Sequence, residues 1–320
     1  MVRTLALCLF ATLASLAQVE ASAQSWPARA VRLLVPYPPG GASDIQMRLV
    51  AGKLSERWAV PVTVENKPGG NTVIATDTVA KAAPDGYTLL LTAMPFALNP
   101  MLIAKLPYNS DRDLAPVSLL ATIPNILVVN PGVPAKSVRD LIGWARANPG
   151  ALSFASAGQA TSTHLSAELF VKMSGLAATH IPYKGSVQAH LDLISGRVPM
   201  MFDNGALQHV KAGKLNALAV TSAKRVAWLP DTPTVAEQGL PGYEAVAWYG
   251  VMAPGATPAD IVQRLSDDIT WAVRSPDVVE KLRAIGANAE GGSPEDFRKL
   301  IASESLKWGQ LARELGMKPE

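Results

Sequence analysis

The chain has 320 residues, 48% of them hydrophobic and 17% charged, with a formal charge of +3. That is the composition of about two globular domains rather than of a disordered chain, and the scattered Lys and Arg, with no basic run, argue against nucleic acid as a partner. A single Cys and four His (His164, His180, His190 and His209), none in an H-x-H or H-E-x-x-H spacing, exclude a disulfide framework and give no support to a metal site.

The N-terminus reads as a targeting segment. Arg3 precedes an apolar run from Thr4 to Ala17, about 14 residues and too short for ~30 Å of hydrocarbon. Ala21-Ser22-Ala23 then supplies an A-x-A cleavage pattern. Residues 1–23 are therefore expected to be a signal peptide cleaved after Ala23, with a mature start at Gln24. Cys8 is not a lipidation site on this reading, because Leu7 is too large and no apolar run precedes it. Its removal leaves a mature chain without Cys, which suits an exported, oxidising compartment.

From there strands and helices alternate. Arg29–Pro36 reads as a buried strand, Ser43–Trp58 as a helix, Val62–Glu65 as a strand and Asn66–Gly70 as a loop. A helix over Thr72–Ala82 and a strand over Tyr87–Thr92 follow, and this order implies a parallel sheet covered by helices. The pattern restarts with a strand ending at Ser153–Ser156, a helix over Thr163–Met173, a strand at Thr179–Pro182 and a helix over Ser186–Ser195. Val198–Asp203 and Asn216–Thr221 are further strands, and three helices that begin at or near Pro258, Pro276 and Pro294 end the chain. Two β-rich runs, Ala115–Asn130 and Glu244–Ala253, are each long enough to cross between domains. The expected architecture is α/β with two domains: 24–123 plus 247–320 form domain 1, and 124–246 form a second domain inserted in it. Ligands of such folds lie at the carboxyl ends of strands, in the cleft between domains.

Two strand-to-helix turns carry the ligand chemistry. In Tyr37-Pro38-Pro39-Gly40-Gly41-Ala42-Ser43-Asp44 the two glycines are expected to take φ > 0 and bring backbone close to a ligand. The free N–H groups of the following helix make an anion site. Ser156-Ala157-Gly158-Gln159-Ala160-Thr161-Ser162-Thr163 offers hydroxyls beside free N–H groups, and neither turn holds a Lys or Arg. A captured carboxylate would be held by neutral dipoles, although Ser43 and Asp44 are also ordinary helix caps. A third turn, Pro182-Tyr183-Lys184-Gly185-Ser186, places Lys184 either at the cleft or in solvent. Asp203 ends a strand and either meets a ligand or caps a turn. Thr92 leads into Ala93-Met94-Pro95-Phe96, an apolar wall or ordinary core. Catalysis has little support. A hydrolase elbow needs G-x-S-x-G, but Phe154 replaces the first Gly before Ser156, and His164 lies within the next helix. No cofactor motif occurs.

The motifs VPYPPGGASD, ENKPGGNTVIATD, APDGYTLL, SAGQATSTHLSAELF, IPYKGS, GRVPMMFDN, GKLNALAVTSAKR, LPDTPTVAEQGLPGYEAVAWYG and APGATP, in this order over nearly all of the mature chain, resemble the Bug family. These are periplasmic solute-binding proteins of tripartite tricarboxylate transporters. The resemblance implies a Venus-flytrap fold of the type II kind and a periplasmic, monomeric protein that binds a small carboxylate without catalysis or cofactor. The ligand would be a di- or tricarboxylate, an acidic amino acid or an aromatic acid. The partners would be membrane permease subunits or, alternatively, a sensor kinase. It also implies ligand contacts from Tyr37, Pro39, Gly40, Gly41 and Asp44, from Ser156, Ala157, Gly158, Thr161, Thr163 and His164, and from Asp203 at the distal end. Family members usually carry Gly and Ser at the positions of Ala160 and Thr161, and Gly at that of Ala75, so Asn71 or Thr72 is expected to reach the cleft instead. Thr92, Ala93, Met94, Tyr183 and Lys184 complete the expected lining.

Overall fold

The structure, a computed structural model, describes residues 26–317. The expected signal peptide and its cleavage point after Ala23 lie outside the described residues. The chain opens with β1 (Val31–Val35), α1 (Ala42–Trp58), β2 (Val62–Asn66), α2 (Val73–Ala80), β3 (Thr88–Ala93), α3 (Met94–Leu102) and β4 (Leu114–Pro124). Beyond Asn125 come β5 (Ile126–Val129), α4 (Val138–Ala147), β6 (Ser153–Ser156), α5 (Ser162–Ser174), β7 (Thr179–Pro182), α6 (Ser186–Ile194), β8 (Met200–Asp203), α7 (Leu207–Lys211) and β9 (Asn216–Val220). The return is through β10 (Val246–Pro254), α8 (Ala259–Arg274), α9 (Pro276–Ala284), β11 (Asn288–Ala289) and α10 (Pro294–Glu314). Among the described residues no helix is long and apolar enough to cross a membrane.

The strands form two sheets, ordered β11-β4-β10-β3-β1-β2 and β7-β6-β8-β5-β9, one in each lobe. The parallel arrangement expected of the first three strands is present, but each sheet as a whole is mixed. β2-β1-β3 and β7-β6-β8 are parallel, whereas β10 runs antiparallel to β3 and β4, and β5 antiparallel to β8 and β9. The cause is the crossing itself. A chain that leaves along β4 and returns beside it along β10 must run back in the opposite sense, with no helical crossover to reverse it. The β-rich run Ala115–Asn130 is divided at Asn125, where the chain leaves one sheet for the other. Backbone hydrogen bonds gather there: Thr221 N–H donates to the Asn125 carbonyl (2.9 Å), and Ala245 N–H to the Thr221 carbonyl (2.9 Å). The Asn125 N–H donates to Thr221 Oγ1 at 2.8 Å.

Alternation along the strands builds the core on both faces of each sheet. In the first lobe Val31, Leu33 and Val35 pack with Met47, Leu54, Val251 and Ile269, while Leu34 turns to the other face with Val79, Phe96, Trp248 and Phe297. In the second, Leu127, Met200 and Phe202 face one way and Ile126, Val128 and Met201 the other. Two helices join the lobes. Met94, Leu98 and Leu102 of α3, with Trp308 and Leu311 of α10, pack into the same apolar cluster as Leu141, Phe154 and Phe170. Neither α3 nor α4 is visible in the reading of the sequence. α3 carries Pro95 in its first turn and Pro100 inside it, two residues that signal loop. α4 carries one start signal that the reading did not use: Ser137 accepts from the Asp140 N–H at 3.1 Å, a Ser-x-x-Asp signature of a helix start.

Candidate ligand-binding site

Between the lobes, at the carboxyl ends of β1, β3, β6, β7 and β8, lies a cavity, the place where small-molecule sites of such folds form. Its lining includes the first turns of four helices: α1, α3, α5 and α6, whose N-caps are Gly41, Ala93, Thr161 and Gly185. A helix N-terminus carries the positive end of the peptide dipoles together with unpaired N–H groups, so four of them facing one space favour an anion. Ala42, Ser43, Ser162, Thr163, Ser186 and Val187 belong to these turns, and their N–H groups have no acceptor among the described residues. Lys184 is the one charged residue in the lining. Ala93, Met94, Pro95, Ala247 and Trp248 make an apolar wall. An outer chamber of about 670 Å³ adjoins the cavity and shares Tyr37, Pro38, Ala157, Thr161, Lys184 and Gln188 with it.

Of the residues expected from the sequence, Tyr37, Gly41, Ala93, Met94, Ala157, Thr161, Thr163 and Lys184 line the inner cavity, and Thr72, Gly158 and Tyr183 line the outer chamber. Gly40 faces a separate hollow beside α6. Pro39, Asp44, Thr92, Ser156, His164 and Asp203 line none of these spaces. Pro39 is exposed, and Thr92 is buried within β3. The Asp44 carboxylate is turned back on its own loop. It accepts from Gly40 N–H (3.0 Å), Arg48 Nε (3.0 Å) and Asn66 Nδ2 (2.9 Å). Burial works against its ionisation, but these donors outweigh burial and hold its pKa below the usual carboxylate value. Asp203 is completely buried and accepts from Ser186 Oγ (2.7 Å) and Gly205 N–H (3.0 Å), with His190 Nε2 at 2.6 Å. Its place is behind α6, fixing that helix's first turn.

The expectation of φ > 0 at both glycines holds for Gly40 (φ +87°) but not for Gly41, which is extended at φ −80°, ψ 170°. Gly41 instead leaves room, since a Cβ there would meet nothing within 4 Å. Several expected donors are consumed within their own loop. Gly158 N–H donates to Ser156 Oγ (3.2 Å), and Ala157 N–H to Thr163 Oγ1 (2.8 Å). Thr161 Oγ1 donates to the Gly158 carbonyl (2.7 Å) and lies 2.8 Å from Thr163 Oγ1. Thr161 and Thr163 thus shape the turn. The lining residues that sequence reasoning missed include Ser162, Ser186, Asn204, Trp248 and Tyr249, along with the free hydroxyl of Ser43. Ser43 was visible only as a cap, but Gly41 is the N-cap and no side chain caps the helix. Burial, with Tyr249 beside it, raises the Tyr37 hydroxyl pKa. Burial likewise raises that of Tyr249, which accepts from Asn204 Nδ2 at 3.3 Å. Both phenols therefore stay protonated and can donate.

Behind the second turn, Ser156 Oγ lies 2.6 Å from His180 Nε2, and the His180 ring lies against those of His164 (3.9 Å between ring centroids) and Phe154 (5.0 Å). His164 Nδ1 accepts from Ala160 N–H at 3.1 Å, and its Nε2 is 3.3 Å from Glu168. Burial, and then His164, push His180 down to about 3. The unfolded chain therefore binds the extra proton between ~6.5 and about 3, so this contribution to stability is complete above ~6.5 and lost as the pH falls through that window. Thermal melts of the native protein and of His180→Gln from pH 7 to pH 4 should show a flatter acid limb for the variant. Parallel limbs would remove His180 from the account.

The family model described as "Tripartite tricarboxylate transporter family receptor" matches residues 46–317. The protein BugT of Bordetella pertussis is 40% identical over 301 residues, covering 93% of this chain and 92% of BugT. The solved structure of R. palustris Rpa4515 with adipate is 37% identical with a TM-score of 0.88, and covers 92% of this chain and 100% of that one. MatC of Rhodopseudomonas palustris with bound malate is 30% identical with a TM-score of 0.83, covering 89% and 99%. The two-lobed α/β fold, the cleft at the strand ends and these likenesses agree, and the chain belongs to the tripartite tricarboxylate transporter receptors, the family of the Bug solute-binding proteins.

Proposed function

We propose that this protein is a periplasmic receptor that captures a small carboxylate between its lobes, without chemistry on it, for hand-over to membrane permease subunits. The convergence of four helix N-termini on one cavity carries this reading. Neutral N–H dipoles and hydroxyls desolvate a carboxylate while still satisfying it, which suits reversible capture. The adipate and malate in the related structures support a carboxylate. Tyr37, Gly41, Thr161, Thr163 and Lys184 belong to the walls on this account, and Asp44, Ser156, His164 and Asp203 hold those walls in place. Ser156 beside His180 is completely buried, which suits a brace rather than a nucleophile. The lobes are taken as 24–123 plus 247–320 and 124–246, closing about Asn125 and the Ala245–Val246 junction, with the signal peptide removed after Ala23.

A thermal-shift screen of mono-, di- and tricarboxylates tests the reading. A ligand at 100 times its Kd should stabilise the protein by about 2.7 kcal/mol. A screen in which no carboxylate shifts the melt while an amine or a sugar does would overturn it.

A further inference from the structure

Four consecutive residues in the wall of the outer chamber have left-handed backbone: Gly69 (φ +127°), Gly70 (φ +55°), Asn71 (φ +49°) and Thr72 (φ +76°). Glycine takes such angles freely and asparagine tolerates them, but a β-branched residue there is an outlier. Such strain persists only where its surroundings enforce it. Here they are Asn99 of α3, which is fully buried. Asn99 Nδ2 donates to the Asn71 carbonyl (2.9 Å) and lies 3.3 Å from Thr72 Oγ1, while its Oδ1 accepts from Asn71 Nδ2 (2.9 Å).

The two common reasons for a threonine at this position both fail. Thr72 is the N-cap of α2, where a Thr hydroxyl normally accepts from the first turn, yet its side chain makes no capping bond. Its φ is one that glycine would hold without strain. What threonine adds is a hydroxyl, on a residue that lines the chamber although it is only 7% exposed. Its oxygen accepts from Asn99, and its own proton has no acceptor among the described residues. Lys184 stands in the wall that this chamber shares with the inner cavity, and no acidic side chain lines either space.

We propose that Thr72 is a specificity-determining residue, whose hydroxyl donates to a second carboxylate at the far end of a ligand anchored in the inner cavity, and that Asn99 is the residue that positions it. This rests on the carboxylate-binding reading above. The probes are matched acids with and without the far carboxylate: succinate and butyrate, adipate and hexanoate, suberate and octanoate. Calorimetry on the native protein should show a preference for the diacid at one length or more. Thr72→Val keeps the shape and removes the hydroxyl, so it should weaken that diacid about tenfold and leave the matching monoacid within about twofold. Thr72→Gly should lose the same preference while melting at or above the native temperature. Thr72→Val with the native ratio, or with both acids weakened alike, overturns the proposal, as does a Thr72→Gly that melts well below native. A native protein that binds each pair equally removes the far-end contact and leaves carboxylate capture standing, whereas one that binds none of the six acids overturns the proposal and leaves carboxylate capture to be decided by the wider screen above.

Discussion

Gly41→Val is expected to weaken carboxylate binding at least thirtyfold, about 2 kcal/mol, in a protein that still folds. The backbone at Gly41 is extended, a conformation open to any residue, and a Cβ meets nothing within 4 Å. Gly41 lines the cavity beside the free N–H groups of Ala42 and Ser43, so a valine side chain there is expected to take space that the ligand needs. The loss of stability should stay near 1 kcal/mol, the usual effect of a poorer residue at a helix N-cap. Lys184→Ala, which removes the one cation of the lining, should reduce affinity less. Calorimetry on both variants, with melting followed by circular dichroism, separates a dipole-held ligand from an ion-paired one. Abolished binding in Lys184→Ala beside native binding in Gly41→Val would install the ion pair.

Asp203→Ala should lower stability by about 3–5 kcal/mol, although Asp203 does not line the cavity. The carboxylate is entirely enclosed, and its removal leaves the buried His190 ring without its partner and takes an acceptor from Ser186 Oγ and the Gly205 N–H. Asp203→Asn retains an acceptor oxygen and should lose less. The effect also depends on pH. Burial pushes His190 down, but Asp203 more than reverses this and leaves its pKa raised. The stability gained from the charged pair is therefore fully present below ~6.5 and disappears as the pH rises through the raised value. Urea unfolding at about pH 5.5 and about pH 8.5 should show the larger loss at the lower pH. A loss below about 1 kcal/mol at both would mean that α6 does not depend on this anchor.

The sequence made the two ligand turns legible because Pro, Gly and hydroxyl residues between an apolar run and a helical pattern leave few alternatives. Tyr37, Gly41, Thr161 and Thr163 accordingly reach the cavity. The side chains richest in chemistry were the hardest to place. Asp44, His164 and Asp203 lie within the right motifs, yet each turns inward, because a buried charge or imidazole is satisfied by the first donors it meets, and those are its own loop's N–H groups and neighbouring helices. One residue's step along a helix separates Ser43, which lines the cavity, from Asp44, which does not, and no periodicity resolves that difference. Tyr249 gave no signal, since its strand reads only as a crossing. The docking of α10 on the second lobe through Trp308 is a contact remote in sequence and invisible to local pattern.

The hydrogen bonds that gather at Thr221 bear on how such receptors diversify. They bring Asn125 and Ala245, where the chain enters and leaves the second lobe, onto one residue. β4 and β10, which flank that excursion, are neighbours in the first sheet. The entropy of closing a loop rises only slowly with its length, so to the first sheet the whole excursion is one more surface loop between adjacent strands. A lobe taken from a relative that preserves this short junction, together with the apolar face that receives Met94, Leu98, Trp308 and Leu311, leaves the host pairing intact, and recombination can exchange half of the ligand cleft at a time while the other half keeps its shape.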